Sequence, residues 1–185
     1  WNAIIESLYN FPCIVIWVPF NEAWGQFKTQ EITTLTMRKD PSRLVNSASG
    51  GNFYEAGHIL DLHNYPGPVM ARPEIFGSRQ ALVLGEFGGL GLPLENHTWL
   101  DKNNWGYRTF RDADTLFTTY SGYLERVVQF IDRGLSAAIY TQTTDVEIET
   151  NGLLTYDRKI VKMPENKLFD VSRKLYEAAE KVRFK

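Results

Sequence analysis

Apolar and polar positions follow one another along this chain in two patterns, one typical of helices and one typical of strands. Apolar residues at helical spacing predict helices over residues 2–9, 26–39, 116–131 and 168–182. Short apolar runs that stop at turn residues predict strands over residues 13–18, 44–46, 58–64, 81–86 and 135–142. Because helices or long connections separate the strands, the pattern predicts an α/β fold with a parallel sheet.

The run CIVIWV at residues 13–18 has no polar position, which is typical of a strand buried on both faces. Cys13 is the only cysteine, so an internal disulfide and a cysteine-based zinc cluster are both excluded. We expect Cys13 to be a small buried hydrophobic residue beside this strand.

Polar residues collect where the predicted strands end. They are Asn21-Glu22, Asn46, His63-Asn64-Tyr65, Glu86 and Gln142. The carboxyl ends of parallel strands lie on one side of a sheet, and in a (β/α)₈ barrel that side carries the active site. The pattern therefore predicts a cluster of functional side chains at one rim.

Glu22 and Glu86 each follow an apolar strand, and glycines flank Glu86 on both sides. A single glutamate after a strand is usually solvated or caps a helix. Two carboxylates at equivalent strand ends are what glycoside cleavage needs, because one must protonate the leaving oxygen while the other is ionised. A retaining enzyme requires them to be about 5 to 5.5 Å apart.

Composition removes several other classes of protein. The net charge is −2, so neither nucleic acid nor an anionic membrane is an expected partner. No apolar run approaches the roughly 20 residues of a membrane span. A phosphate-binding loop, a dinucleotide fingerprint and a Gly-x-Ser-x-Gly elbow are all missing from the sequence, which argues against kinases, dehydrogenases and serine hydrolases.

Three further groups of residues leave alternatives open. Trp99 and Trp105, in a predicted long loop over residues 90–114, either anchor the loop or stack on a sugar beyond the cleavage point. Asp145 is a better candidate for a substrate contact than Glu147 or Glu149, which we expect to be solvated. His58, Asp61 and His63 do not converge on one strand face, so no metal site is predicted from them.

Several segments together resemble glycoside hydrolase family 2, the β-galactosidase, β-glucuronidase and β-mannosidase type. The segment IVIWVPFNEAWG resembles its strand four, DLHNYPG its strand six and LVLGEFGG its strand seven. The segment NGLLTYDRKIVK is similar to the end of its barrel. The resemblance covers nearly the whole chain, so residues 1–185 are expected to be the C-terminal part of a TIM-barrel catalytic domain, about strands four to eight of eight.

The resemblance also implies roles for individual residues. Glu22 corresponds to the general acid/base and Glu86 to the nucleophile. Asn21 corresponds to the residue that binds the sugar 2-hydroxyl, Tyr65 to the partner of the nucleophile, and His63 is expected to reach the same sugar. Trp17 or Trp24 is expected to form a wall of the pocket. The family often has a tryptophan on strand eight, and here Tyr140 or Gln142 stands in the matching stretch AAIYTQTTD.

The expected function is that of a retaining glycosidase that cleaves terminal β-linked sugars, without any required metal or organic cofactor. A full barrel needs about 250 residues, so we expect earlier barrel strands in a longer parent and weak or no activity from this piece alone. The resemblance to family 2 also implies sandwich domains before the barrel. Exposed sheet edges would favour self-association. The alternatives are a non-catalytic carbohydrate-binding barrel and an endo-acting glucanase or mannanase. The sequence does not indicate the sugar or the cellular location.

Overall fold

The structure of the chain is a computed structural model that describes residues 1–51, 54–72 and 79–183. The chain divides into two compact units. Unit one comprises Trp1–His63 and Met70–Gly85, and unit two comprises Asn64–Val69 and Glu86–Lys185. Each unit contains one of the two glutamates that the sequence singles out.

Unit one begins with a helix, and a second helix lies between its first two strands. Its elements are α1 (Asn2–Leu8), β1 (Ile16–Trp17), α2 (Thr29–Lys39), β2 (Leu44–Val45), β3 (Ile59–Asn64, the last residue in unit two) and the start of β4 (Ala81–Gly88). Strands β1 and β2 are parallel, with Ile16 opposite Leu44. A small core forms where Ile5, Trp17 and Val45 pack together. The predicted order of elements is confirmed here.

The predicted burial of the first strand on both faces is wrong for the described chain. Trp17 is only 4% exposed, but its neighbours Val15 and Val18 are 65% and 40% exposed. The core of Ile5, Trp17 and Val45 covers Trp17 but leaves Val15 and Val18 exposed. Cys13 is also exposed, so the expectation that it is buried is wrong as well.

Unit two contains the two long helices. Its elements are the end of β4, β5 (Leu90–Gly91), β6 (Arg108–Thr109), α3 (Ala113–Ile131), β7 (Leu135–Thr141) and α4 (Glu165–Arg183). Helix α3 begins after Asp112, whose Oδ1 accepts a hydrogen bond from the Thr115 N–H at 2.8 Å. Helix α3 packs against both α4 and β7.

The segment predicted as one long loop has a defined structure. Its two ends form the strands β5 and β6, which pair in parallel with Leu90 opposite Arg108. Residues 92–107 therefore leave this strand pair and return to it. The prediction of an unstructured connection over residues 90–114 is wrong at both ends.

The described strands give a mixed α/β fold with parallel pairs. Strand β4 begins in unit one beside β3 and ends in unit two beside β7. Within residues 1–51, 54–72 and 79–183, the strands do not close into a barrel, so the predicted TIM-barrel relationship is confirmed only at the level of fold class. None of the described helices has both the length and the apolar character needed to cross a bilayer.

A buried ion pair holds the last connection of unit two in place. Lys162 Nζ donates to Asp145 Oδ1 at 2.6 Å and to the Thr150 carbonyl at 2.9 Å. Asp145 Oδ1 also accepts the Gly152 N–H at 2.8 Å. Both side chains are almost inaccessible to solvent. Burial raises the pKa of Asp145 and lowers the pKa of Lys162, and in each case the partner's charge opposes the shift.

Replacing Lys162 with Met is expected to lower the free energy of unfolding by about 3–5 kcal/mol, because the Asp145 carboxylate would remain buried without its charged partner. Urea unfolding at neutral pH measures the change. The matched control is Lys28→Met, which removes one partner of the exposed Lys28–Glu31 pair and should cost at most about 1 kcal/mol. Equal midpoints for the two variants would contradict the prediction.

Candidate active site

The backbone at Glu22 is held by the segment that follows β2. Asn21 forms a parallel bridge with Ser49, and the Glu22 N–H donates to the Ser49 carbonyl. The Gln26 side-chain amide donates to the carbonyls of Glu22 and Gly51 at 2.7 and 2.8 Å. A side chain at position 51 would collide with the Glu22 carbonyl, so a glycine is needed there. These contacts hold Glu22 in a left-handed conformation with φ of 55°.

The Glu22 carboxylate lies between an imidazole and an indole. Its Oε1 is 3.1 Å from His63 Nδ1, and its Oε2 accepts a hydrogen bond from Trp24 Nε1 at 3.4 Å. The Glu22 side chain is 40% exposed, whereas His63 is 6% exposed. Solvent or a ligand can therefore reach the carboxylate, while the imidazole behind it is enclosed.

A chain of hydrogen bonds continues behind His63. Ser49 Oγ lies 2.8 Å from His63 Nε2 and donates to Asp61 Oδ2 at 3.0 Å. Asp61 also accepts from the Asn46 amide at 2.7 Å and from the Gly85 N–H at 2.7 Å. Burial raises the pKa of Asp61, and these donors together with the His63 charge oppose the rise.

The donors around Asp61 determine where protons can lie in this series of hydrogen bonds from Asp61 through Ser49 to His63. A carboxylate that faces three donors accepts from all of them, which commits the single Ser49 hydroxyl proton to Asp61. Ser49 Oγ must then accept from the Nε2–H of His63. When His63 carries a proton on Nε2, a hydrogen bond between His63 Nδ1 and Glu22 Oε1 requires a second proton on one of these two atoms. Glu22 is thus placed against a group that can exchange a proton with it.

Glu86 has a different environment, in unit two. The Tyr65 hydroxyl donates to Glu86 Oε2 at 2.6 Å, and its oxygen is 2.8 Å from Thr141 Oγ1, which can donate to it in turn. Burial and the adjacent Glu86 charge raise the pKa of Tyr65, so this hydroxyl stays protonated. The loop after Tyr65 is tied to β4, because the Gly88 N–H donates to the Pro66 carbonyl at 2.8 Å. The Tyr65 hydroxyl is therefore a fixed donor that orients the Glu86 carboxylate.

Two predicted binding residues, Tyr140 and Gln142, lie at the end of β7 in unit two. Tyr140 packs edge-on against Phe87, and a side chain at position 88 would overlap the Tyr140 ring, so Gly88 makes room for it. The Gln142 side-chain amide donates to Asn151 Oδ1 at 2.8 Å. Contacts of Tyr140 and Gln142 with a substrate stay predictions.

The structure separates the two tryptophans predicted near Glu22. Trp17 is in the unit-one core, where its Nε1 donates to Asp40 Oδ2 at 2.8 Å. Trp24 is 75% exposed and bonded to Glu22, which makes it the better placed of the two for a ligand. Asp145 is occupied by the Lys162 ion pair, and its predicted contact with a substrate is likewise untested.

Sequence reasoning did not assign a site role to several residues that contact the predicted ones. They are Ser49, Asp61, Thr141 and Tyr107. The spacing of Asp61 and His63 does place both on one face of β3, and both reach Ser49. Ser49 itself has no local signal, because its partners come from a strand that lies later in the chain.

Sequence comparisons find no relative. No family model matches the chain, and no curated protein matches it.

Solved structures do share its fold. A β-glucuronidase from Faecalibacterium prausnitzii L2-6, described as FMN-binding, matches with a TM-score of 0.57 and 19% identity over 86% of this chain and 29% of its own. The agarase AgWH50C matches with a TM-score of 0.55 and 14% identity, over 82% of this chain and 25% of its own. An exo-β-agarase matches with a TM-score of 0.52 and 14% identity, over 82% of this chain and 22% of its own.

These likenesses concern the fold, since all three identities are below 20%. The chain spans between about a fifth and a third of the length of the structures that it matches. They do not single out family 2 among glycoside hydrolases. The chain therefore has a glycosidase-like α/β fold.

Proposed function

We propose that this chain carries the two catalytic carboxyl groups of a retaining glycoside hydrolase that cleaves terminal β-linked sugars. The observation that carries the proposal is the contrast between the two carboxyl environments. Glu86 receives a 2.6 Å hydrogen bond from a hydroxyl that stays protonated, whereas Glu22 Oε1 lies 3.1 Å from the Nδ1 atom of the His63 imidazole. Environments that differ in this way separate an ionised nucleophile from an acid.

In the first step, a Glu86 oxygen attacks the anomeric carbon and the bond from that carbon to the leaving oxygen breaks. Glu22 gives its proton to the leaving oxygen, and a covalent glycosyl-enzyme forms. In the second step, Glu22 takes a proton from water, whose oxygen attacks the same carbon and releases Glu86. Two inversions leave the anomeric configuration unchanged. The proposal requires the two carboxyl groups to face one glycosidic bond, about 5 to 5.5 Å apart.

The surrounding residues take supporting roles in this proposal. Asn21 is exposed directly beside Glu22, where an amide can bind a sugar hydroxyl. Tyr65 orients Glu86 and must release part of its hydrogen bond as the carboxylate attacks. His63, held by Ser49, exchanges the proton that Glu22 uses.

We further propose that the chain works as part of a longer catalytic domain. Apolar side chains lie exposed on β1 at Ile16, directly after it at Val18, and on β7 at Ile139. Such positions are ordinarily covered in α/β enzymes, where helices and further strands pack on the sheet. We propose that earlier barrel strands pack on these apolar side chains in the longer protein. Without those strands, the exposed sheet should favour association between copies of the chain.

The test is a panel of aryl β-glycosides, including galactoside, glucoside, glucuronide and mannoside, assayed with the full-length protein that contains this chain. We expect release of one sugar unit, with its β configuration retained when the reaction is followed by NMR. Release of the α-anomer first would contradict the retaining mechanism. Sugar binding without turnover would favour a non-catalytic barrel, and cleavage of long glucans or mannans alone would favour an endo-acting enzyme.

A further inference from the structure

Three aromatic side chains form a row that starts at the proposed nucleophile. We name Tyr65, Tyr107 and Trp105 the aromatic row. Tyr65 and Tyr107 are stacked, with ring centroids 3.8 Å apart and an interplanar angle of 5°. Trp105 meets Tyr107 edge-on at 5.5 Å. The Tyr65 hydroxyl bonds Glu86, so Tyr107 stacks on a ring that contacts the carboxylate.

The outer part of the aromatic row is open to solvent. Tyr107 is 50% exposed and Trp105 is 40% exposed. Large aromatic surface next to a catalytic carboxylate marks a place where a ligand binds, because leaving it in water is unfavourable. Sugar rings suit such a surface, since their C–H groups carry partial positive charge and the aromatic face is negative.

The backbone holds the aromatic row in place before any ligand arrives. The Tyr107 N–H donates to the Gly89 carbonyl at 2.9 Å. The Trp105 N–H donates to the Ile148 carbonyl, and the Trp105 carbonyl accepts the Thr150 N–H, both at 2.9 Å. A side chain at position 89 would collide with Tyr107 and crowd Tyr65, so Gly89 is what permits the stack. Fixed rings lose little entropy on binding.

We propose that Tyr107 and Trp105 bind the sugar unit on the leaving side of the scissile bond, adjacent to the unit that Glu86 attacks. This inference rests on the proposed function. An enzyme that removes terminal sugars encloses one unit at the nucleophile, so a second unit that reaches the aromatic row is the leaving group. Trp105 thereby selects saccharide leaving groups over small ones.

The test uses the full-length protein and a matched pair of variants. Trp105→Ala removes the outer ring of the row. Trp99→Ala removes a somewhat more exposed tryptophan from the same connection, where it packs on Tyr156 at 4.9 Å. The probes are lactose with β-galactosyl fluoride and cellobiose with β-glucosyl fluoride. Fluoride is a leaving group too small to reach the row.

We expect Trp105→Ala to lower kcat/KM for the disaccharide by at least about tenfold, the loss of one ring contact. Its effect on the matching glycosyl fluoride should be several-fold smaller. Trp99→Ala should change neither substrate by more than about twofold. Equal losses on disaccharide and fluoride, or equal losses in the two variants, would overturn the proposal.

A binding measurement separates this inference from the proposed function. In a Glu86→Gln background, calorimetric titration with lactose and cellobiose is expected to show weaker binding after Trp105→Ala and unchanged binding after Trp99→Ala. Binding unaffected by Trp105→Ala, or no disaccharide binding at all, would overturn the aromatic row as a subsite. Full turnover by Glu86→Gln would instead overturn the proposed function.

Discussion

Replacing Glu86 with Gln in the full-length protein is expected to lower kcat by at least about four orders of magnitude on every glycoside that the protein cleaves. Glutamine cannot form the covalent intermediate, although its side-chain oxygen can still accept a hydrogen bond from the Tyr65 hydroxyl. Steady-state assays with an aryl glycoside measure the loss. Sugar affinity should persist, because shape and polarity at the carboxyl position are nearly unchanged.

Glu95→Gln is the matched control, since Glu95 is an exposed glutamate in the same unit. It should leave kcat within about twofold, because surface substitutions away from a site have small effects. In Glu86→Ala, added azide should attack from the vacated position and yield the α-glycosyl azide. Appreciable turnover by Glu86→Gln would assign the nucleophile to another residue.

Glu22→Ala is expected to reduce the rate by about 10²–10⁴-fold for a disaccharide, whose leaving oxygen must be protonated. A 2,4-dinitrophenyl glycoside should lose far less in its first step, because this leaving group departs without a proton. The dependence on leaving group distinguishes an acid from a residue that merely binds sugar. Comparing kcat/KM across aryl glycosides of graded leaving-group acidity measures it.

Glu31→Ala is the control for Glu22, as it is a solvent-exposed glutamate of unit one. It should preserve the rates for all leaving groups. Azide added to Glu22→Ala should give the β-glycosyl azide, the opposite anomer to that expected from Glu86→Ala. A uniform loss across leaving groups would remove Glu22 from the acid role and leave Glu86 unaffected.

Thermal unfolding should accompany these activity assays, since Glu22 lies in a hydrogen-bonded chain. Its carboxylate contacts His63 and Trp24 and is partly exposed, so truncation should leave the Asp61–Ser49 contacts intact. If a variant unfolds at the same temperature as the wild type but has lost activity, the loss is due to the catalytic step and not to misfolding.

The sequence by itself determined where the main helices and strands lie and that Glu22 and Glu86 follow apolar runs, although Glu86 lies within β4 and Glu22 comes five residues after β1. These are local properties: apolar spacing sets α3 and α4, and short apolar runs set β1 and β4. Such patterns persist in any tertiary setting, because each element must bury its own apolar face. Hence Glu22 and Glu86 could be proposed as candidate site residues before any coordinates.

Only the tertiary structure decided what surrounds each carboxylate. Ser49 and Asp61 reach His63, and Thr141 reaches Tyr65, through pairings of segments far apart in the chain. The tertiary structure also buries Trp17 in a core, leaves Trp24 exposed, and stacks Tyr107 on Tyr65. Burial and partner choice depend on which elements pack together, and that is a property of the whole fold rather than of any local stretch of residues.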